Sequence, residues 1–290
     1  MTKDEDIHIM ECLGKSKVVV KNGKVVEVKN PKIKYCPLFL KHRNIQELNK
    51  DTIRKNIEYR IKDFGLFTEN RIVESKEYIV DFGTSEIFMS GLEDKIIDSA
   101  VIVSDCAGTV ITENPYLVQG LCGRISGIVK TSPIKKVIEK IKEKGGYILD
   151  ENNATINQYL GVLKGIELGY KNIGVSIANL SESKRIKELE KIYNVNIITF
   201  GVHTTGYSKE DVLDSLPYLD LITICASKGV IDALKEYNGN IIQLGSSVPI
   251  VALSKNGKKL LLNRLLHLDK SFLITTKNKL PLLKDSSFHI

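Results

Sequence analysis

Several features that would assign this chain of 290 residues directly to a protein class are missing. It contains no apolar run of 18 residues, so an ordinary membrane-spanning helix is excluded. Its five cysteines include no Cys-x-x-Cys pair, which argues against a disulfide scaffold or a local zinc knuckle and favours reduced thiols. Residues 1–6 are polar with three acids, so we expect no signal peptide and a cytoplasmic protein.

The sequence also lacks a basic segment interleaved with aromatic residues. Lysine and arginine number 42 against 35 acidic residues, which gives a formal charge of +7. The lysines between positions 15 and 34 alternate with valines and turn residues, as on a solvated surface. This modest excess is compatible with an anionic small-molecule ligand and argues against nucleic acid as a partner.

A nucleotide-binding signature is absent as well. The chain has no Gly-x-Gly-x-x-Gly motif, and its glycine-rich loop with Gly120, Gly123 and Gly127 lacks the lysine and the spacing of a P-loop. The ordinary proportions of hydrophobic residues, 42%, and charged residues, 27%, nevertheless indicate a folded globular chain.

The first 80 residues predict a small α+β part. Two valine-rich runs, 18–20 and 25–28, flank Asn22-Gly23, which is a strong signal for a β-hairpin. Helix-forming residues follow over 45–64, with isoleucines spaced by four.

Strands and helices alternate from residue 81 to residue 268. We predict strands at 78–82, 100–103, 147–149, 172–177, 196–200, 219–224 and 241–244. We predict helices at 84–92 and at about 153–168, 182–193, 208–216 and 228–237, and a further helix that begins at Ser132-Pro133. Short apolar strands between amphipathic helices predict an α/β fold with an open, doubly wound, mainly parallel, Rossmann-like sheet. Residues 269–290 are predicted to form a C-terminal tail.

Ligands in such sheets bind beyond the carboxyl ends of the strands, so the residues that follow each strand are the first site candidates. His203, with Thr204 and Thr205, combines an imidazole and two hydroxyls suited to proton transfer or anion contact. The competing interpretation is a turn before a helix that Ser208 and Asp211 cap.

Cys225 lies at a predicted strand-to-helix junction, followed by Ser227 and Lys228. Helix amides and a lysine would stabilise a thiolate there and make it nucleophilic or metal-binding. Alternatively, Ser227 is an ordinary N-cap, Lys228 is solvated, and Cys225 is the buried end of a strand.

Asp105 precedes Cys106 in a third candidate loop, where Gly108 and Thr109 permit close backbone approach to a ligand. The same residues could simply form a turn. Cys36 and Cys122 could converge with these thiols as metal or cluster ligands, but the sequence cannot show whether distant cysteines meet.

The glycine-rich loop offers a fourth candidate. Arg124 and Ser126, with the glycines Gly120 and Gly123, could hold a phosphate or carboxylate through a guanidinium fork and backbone amides. Close packing of the loop against a sheet is the alternative.

Motifs spread over nearly the whole chain resemble the methanogenesis marker protein 8 family. They are Tyr35-Cys36-Pro37-Leu38-Phe39, Phe82-Gly83-Thr84-Ser85-Glu86-Ile87, Ala107-Gly108-Thr109-Val110, Gln119-Gly120, Ser126-Gly127, Thr131-Ser132-Pro133-Ile134, His203-Thr204-Thr205-Gly206 and Cys225-Ala226-Ser227-Lys228. The resemblance implies a cytoplasmic protein of methane-producing archaea, with no activity defined for the family.

We therefore expect an accessory protein of methanogenesis, either an enzyme or a redox factor in coenzyme handling or in the maturation of a pathway enzyme. Its strand-end residues Asp105, His203 and Cys225 would carry the chemistry. The alternatives are a non-catalytic factor that docks on a methanogenic enzyme, and a small-molecule or nucleotide binder that uses the loop 120–127 and the helix after Pro133. The sequence specifies no cofactor, metal or substrate.

Overall fold

The computed structural model describes residues 6–36, 39–40, 44–245 and 248–273, so Pro37, Leu38 and most of the predicted tail lie outside the described residues. A small antiparallel sheet has the strand order β3-β2-β1-β6, with β1 Ile7–Cys12, β2 Ser16–Lys21, β3 Lys24–Val28 and β6 Gly127–Lys130. The predicted hairpin joins β2 and β3. Asn22 and Gly23 both have positive φ, as a tight hairpin turn requires.

The larger sheet has the order β11-β12-β10-β9-β8-β4-β5-β7. Its strands are β4 Ser99–Ser104, β5 Gly108–Thr112, β7 Gly146–Ile148, β8 Asn172–Ile177, β9 Asn196–Gly201, β10 Leu221–Thr223, β11 Ile242–Leu244 and β12 Ile250–Ala252. The central strands β10, β9, β8 and β4 run parallel to one another. The strands outside them pair antiparallel.

The structure does not confirm the mainly parallel, doubly wound, Rossmann-like sheet that the sequence predicts. The parallel strands cross the sheet in chain order, β4-β8-β9-β10, without the reversal that defines a doubly wound sheet. The hairpin partner β5 and the strand β12 were not predicted, and no strand forms at 78–82. The sheet of this α/β protein is therefore mixed.

Nine α-helices that have both ends within the described ranges accompany these sheets. They are α1 Lys50–Phe64, α2 Thr84–Glu93, α3 Pro115–Cys122, α4 Lys135–Glu143, α5 Gln158–Glu167, α6 Glu182–Tyr193, α7 Lys209–Ser215, α8 Lys228–Glu236 and α9 Lys255–Leu266. The capping residues Ser208 and Ser227 are confirmed. The predicted helix start at Ser132-Pro133 is wrong, because Ile134 is the N-cap and the Ser132 hydroxyl bonds Ile7 of β1 instead.

Apolar side chains cover both faces of the larger sheet. Phe88 of α2 and Leu260 of α9 share one cluster with Phe200 of β9. On the opposite face, α5 and α6 pack against β4, β8 and β9. None of the helices described is both long and apolar enough to cross a membrane.

The small sheet packs with α1, α7 and α8 in a third cluster. Its fourth strand, β6, comes from far beyond residue 80 in the sequence. This pairing brings the glycine-rich loop before β6 to the small sheet and places both next to the carboxyl ends of the parallel strands.

Candidate ligand-binding site

A cavity of about 1280 Å³ opens at the carboxyl ends of the parallel strands. Val103, Ile177, Val202 and Thr223, at or next to the ends of β4, β8, β9 and β10, line it. Further walls come from the small sheet, α1, the start of α2 and the loop 123–127. Its volume exceeds the roughly 300–1,000 Å³ that is usual for a small-molecule site.

His203 lines this cavity and is held by a carboxylate. Its Nε2 lies 3.2 Å from Oε2 of Glu11 on β1. A carboxylate only accepts hydrogen bonds, so Nε2 carries the proton and Nδ1 is the nitrogen left for proton exchange. The bond to His203 also lowers the pKa of Glu11.

The backbone conformation of His203 and the packing around its ring also hold the imidazole next to Glu11. His203 has φ of 56°, in the left-handed region that is costly for a residue with a side chain. A Cβ at Gly127 would lie 2.7 Å from its ring, so the glycine permits the close approach of β6. Glu11 was not predicted as a site residue, because it lies 192 positions from its partner.

The two threonines after His203 connect neighbouring strand-end loops. The Thr204 hydroxyl donates to the carbonyl of Thr223 and accepts from the amide of Cys225. The Thr205 hydroxyl donates to the carbonyl of Cys225 at 2.5 Å. Both threonines are buried, and only Thr205 lines the cavity. Their hydrogen bonds therefore position the loop of Cys225, and direct contact with a ligand is open only to Thr205.

Cys225 lines the cavity, but its surroundings do not favour a thiolate. Burial, followed by the nearby thiol of Cys36, raises the pKa of Cys225 to about 11. Ser227 caps α8 by accepting from the amide of Val230, and Lys228 is exposed and paired with Asp232. The surroundings of Cys225 therefore do not provide the low thiol pKa that the sequence led us to expect. Neither Ser227 nor Lys228 lines the cavity.

The cysteines converge only in part. Cys12, Cys36, Cys122 and Cys225 line the cavity, whereas Cys106 is buried elsewhere. Burial raises the pKa of Cys12 and of Cys122 to about 12. Throughout the part of the chain that the structure describes, no three His, Cys, Asp or Glu side chains are arranged to hold a metal ion.

Asp105, Gly108 and Thr109 lie outside the cavity lining. Asp105 forms a fully buried ion pair with Arg71 at 2.9 Å. A Cβ at Gly108 would meet the carbonyl of Ala154 at 2.2 Å, and the Thr109 hydroxyl accepts from the amide of Asn157. These contacts give the three candidates roles in packing and in turn geometry.

Some residues of the glycine-rich loop line the cavity and could contact a ligand, whereas one of its glycines is explained by close packing. Gly123, Arg124 and Ser126 line the cavity, and the Arg124 guanidinium stacks over the ring of Phe64 at 4.1 Å. Gly120 does not line it. A Cβ at Gly120 would lie 2.2 Å from the carbonyl of Val73, so close packing explains this glycine.

The charged lining is predominantly basic. The described basic lining residues are Lys15, Arg60, Arg124, Arg185, Arg264 and Lys270, and the acidic ones are Asp81, Glu86 and Glu182. Arg264 is fully buried and was not predicted as a site residue. Its helix, α9, carries apolar residues on several sides and gave no strand-end signal, so the sequence offered no means of finding it.

Residues 8–266 match a family described as "Uncharacterized protein conserved in archaea (DUF2099)". The chain is similar to "Uncharacterized protein MJ0054" of Methanocaldococcus jannaschii, with 57% identity over 282 residues, which cover 97% of this chain and 98% of that protein. No solved structure matches the chain.

Proposed function

This chain belongs to the archaeal DUF2099 family of uncharacterised proteins, and from that premise we propose that it binds a small organic anion in the strand-end cavity, as an accessory protein of methanogenesis. The methanogenic context rests on the resemblance of its motifs to methanogenesis marker protein 8. The ligand class rests on the cavity.

The main support for the proposed binding function is the cavity itself. It is large, and among the described residues that line it, basic side chains are twice as numerous as acidic ones. Its position at the carboxyl ends of parallel strands is where open α/β sheets bind ligands. Apolar groups such as Phe64 and Val202 contribute much of the remaining wall, as is usual for organic ligands.

His203 is the residue that we propose to exchange a proton with the ligand. Glu11 orients the imidazole and fixes the proton on Nε2, so Nδ1 can accept a proton from a bound acid or return one to it. The raised pKa of Cys225 makes this histidine a better candidate for acid–base chemistry than the thiol.

The binding proposal is tested with anilinonaphthalene sulfonate, a fluorescent organic anion, titrated into the wild-type protein. Ser176 lies on β8, is half-buried and lines the cavity, so Ser176→Phe places a ring in the binding space. We expect saturable binding by the wild type and an affinity about tenfold or more weaker in Ser176→Phe, which corresponds to about 1.4 kcal/mol.

Ile192→Phe is the matched control, because Ile192 is 68% exposed on α6 and does not line the cavity. Its affinity for the dye should equal that of the wild type. Absence of saturable binding, or equal affinities for Ser176→Phe and Ile192→Phe, would remove the cavity as the binding site.

A further inference from the structure

We propose that the end of the cavity next to α2 is an oxyanion subsite, where Arg264 and the first turn of α2 hold a carboxylate or phosphate group of the ligand. The inference rests on the proposed function and deepens it, because it assigns the group by which the ligand is recognised. It joins two features that lie together in the fold, a buried guanidinium and an uncapped helix start.

Arg264 is fully buried, yet its guanidinium is only partly satisfied. Its Nε donates to the carbonyl of Asp81 at 2.8 Å, and its Cζ lies 3.8 Å from the centre of the Tyr78 ring. Both Nη atoms are buried, and neither has a hydrogen-bond partner among the described residues. An unpaired buried charge is costly, and two Nη groups on one planar edge match the two oxygens of a carboxylate or phosphate.

The start of α2 adds a second set of donors. Its N-cap is Gly83, which provides no side-chain hydrogen bond, so the first-turn amides receive no side-chain cap. Gly83, Thr84 and Ser85 line the same cavity as Arg264. Asp81, whose carbonyl holds Arg264, precedes Gly83 by only two residues, so the guanidinium lies close to the positive end of this ten-residue helix.

The nearby carboxylates are already occupied by other partners. Asp81 pairs with Lys270 through both oxygens, at 2.6 and 2.7 Å. Glu86 lies in the first turn of α2, with one carboxylate oxygen beside Gly83. It accepts hydrogen bonds from the amides of Ile79 and Val80 and from the side chains of Ser85 and Gln119. Within the described ranges, neither carboxylate forms an ion pair with Arg264.

A comparison with Arg185 supports an external partner for Arg264. Burial raises the pKa of Tyr78, so the ring stacked on Arg264 carries no negative charge at neutral pH. Arg185 stacks over Tyr159 at the same distance of 3.8 Å, but it has a carboxylate partner, Glu182, at 3.3 Å. Arg264 has the same aromatic support without the anion.

The test measures thermal unfolding of the full chain in sodium phosphate and in sodium malonate, each compared with sodium chloride at equal ionic strength. We expect one of the two oxyanions to raise the Tm of the wild type by a few degrees in a saturable manner. Phosphate and malonate separate the two oxyanion classes, phosphoryl and carboxylate.

Arg264→Met should abolish this rise, and Arg264→Lys should weaken the apparent affinity about tenfold, because an ammonium lacks the two-pronged edge. Removing an unpaired buried charge should leave Arg264→Met folded. Arg54→Met is the control. Arg54 lies on α1, contacts the carbonyl of Val25 on β3 and does not line the cavity, so its variant should keep the full rise.

An equal rise in Arg264→Met, or no rise in the wild type with either anion, would overturn the subsite. This failure is distinguishable from failure of the proposed function. Ser176-dependent dye binding, combined with an equal oxyanion effect in the wild type and Arg264→Met, would retain the cavity and reject the subsite. Absence of Ser176-dependent dye binding would reject the proposed function itself.

Discussion

Asp105 shows how the surroundings of a single residue decide its role. Its carboxylate accepts from the Arg71 Nε and from the amide of Phe67, and both members of the ion pair are fully buried. We predict that Asp105→Ala lowers the free energy of unfolding by about 3–5 kcal/mol, because it leaves a buried arginine without its partner. Urea unfolding of wild type and variant measures the difference.

The control for Asp105→Ala is the exposed pair of Lys136 and Glu69, which lie 2.5 Å apart with both side chains more than half exposed. Lys136→Ala should change the free energy of unfolding by about 1 kcal/mol or less, since solvent screens exposed pairs. Equal effects of the two substitutions would show that the buried pair is not the important structural contact we infer.

Cys225 should react slowly although it lines the cavity. With a pKa of about 11, about one thiol in a thousand is ionised at pH 8, and the thiolate is the reactive form. We predict that iodoacetamide modifies Cys225 in the native protein far more slowly than it modifies free cysteine at pH 8, as peptide mass spectrometry would show. Modification as fast as that of free cysteine would restore the nucleophile that the sequence suggested.

Glu11 should give stability a defined pH dependence. The hydrogen bond from His203 lowers its pKa below the usual 4.5, so its contribution is present above that value and is lost as the pH falls through the lowered pKa. Glu11→Gln should therefore be less stable than the wild type at neutral pH. The difference should stay below about 1 kcal/mol, because the carboxylate is partly exposed, and should shrink in acid.

Chemical unfolding of wild type and Glu11→Gln at several pH values measures this difference. A gap that does not shrink as the pH falls below 4.5 would contradict the assignment of the Glu11 contact with His203.

Among the helices, α3 packs very closely against the backbone of residues 73–74. Gly120 lies in this helix, and an added Cβ would overlap the backbone of Val73 and Glu74. Gly165 lies in α5, where an added Cβ would approach two side chains and no backbone, Ile173 at 3.3 Å and Ile111 at 3.8 Å. We predict that Gly120→Ala destabilises by about 1–3 kcal/mol.

Gly165→Ala is the matched control. It should be close to neutral, because better helix propensity offsets the mild contact with Ile173. Thermal unfolding compares the two variants. Wild-type stability of Gly120→Ala would contradict the close packing of this glycine against Val73.

Elements with strong local signals could be predicted, and those defined by distant partners could not. The helix α6 and the strand β8 have the predicted bounds, because periodicity and apolar runs define them locally. The strand β5 was missed because Asp105-Cys106-Ala107 carries no usual hairpin signature, although Cys106 and Gly108 adopt positive φ there. The edge pairing of β12 likewise depends on β10 and β11.

At the scale of the whole molecule, the site lies where the two sheets meet. His203, Cys225 and Thr205, which the strand-end rule selected as candidates, all line this cavity. The rule could not predict Glu11 or Arg264, because one comes from the small sheet and the other from the last described helix. Their contributions depend on the tertiary arrangement and leave no trace in local sequence patterns.

The central claim, that this cavity holds an organic anion, is tested most directly by purifying the protein anaerobically and identifying what it carries. Denaturation would release bound molecules for negative-ion mass spectrometry, with metal and sulfide analysis and an ultraviolet-visible spectrum on the same sample. We predict one carboxylate- or phosphate-bearing molecule at near-stoichiometric yield in the wild type and its loss in Ser176→Phe. No bound organic anion, or the same yield from Ser176→Phe, would contradict the claim.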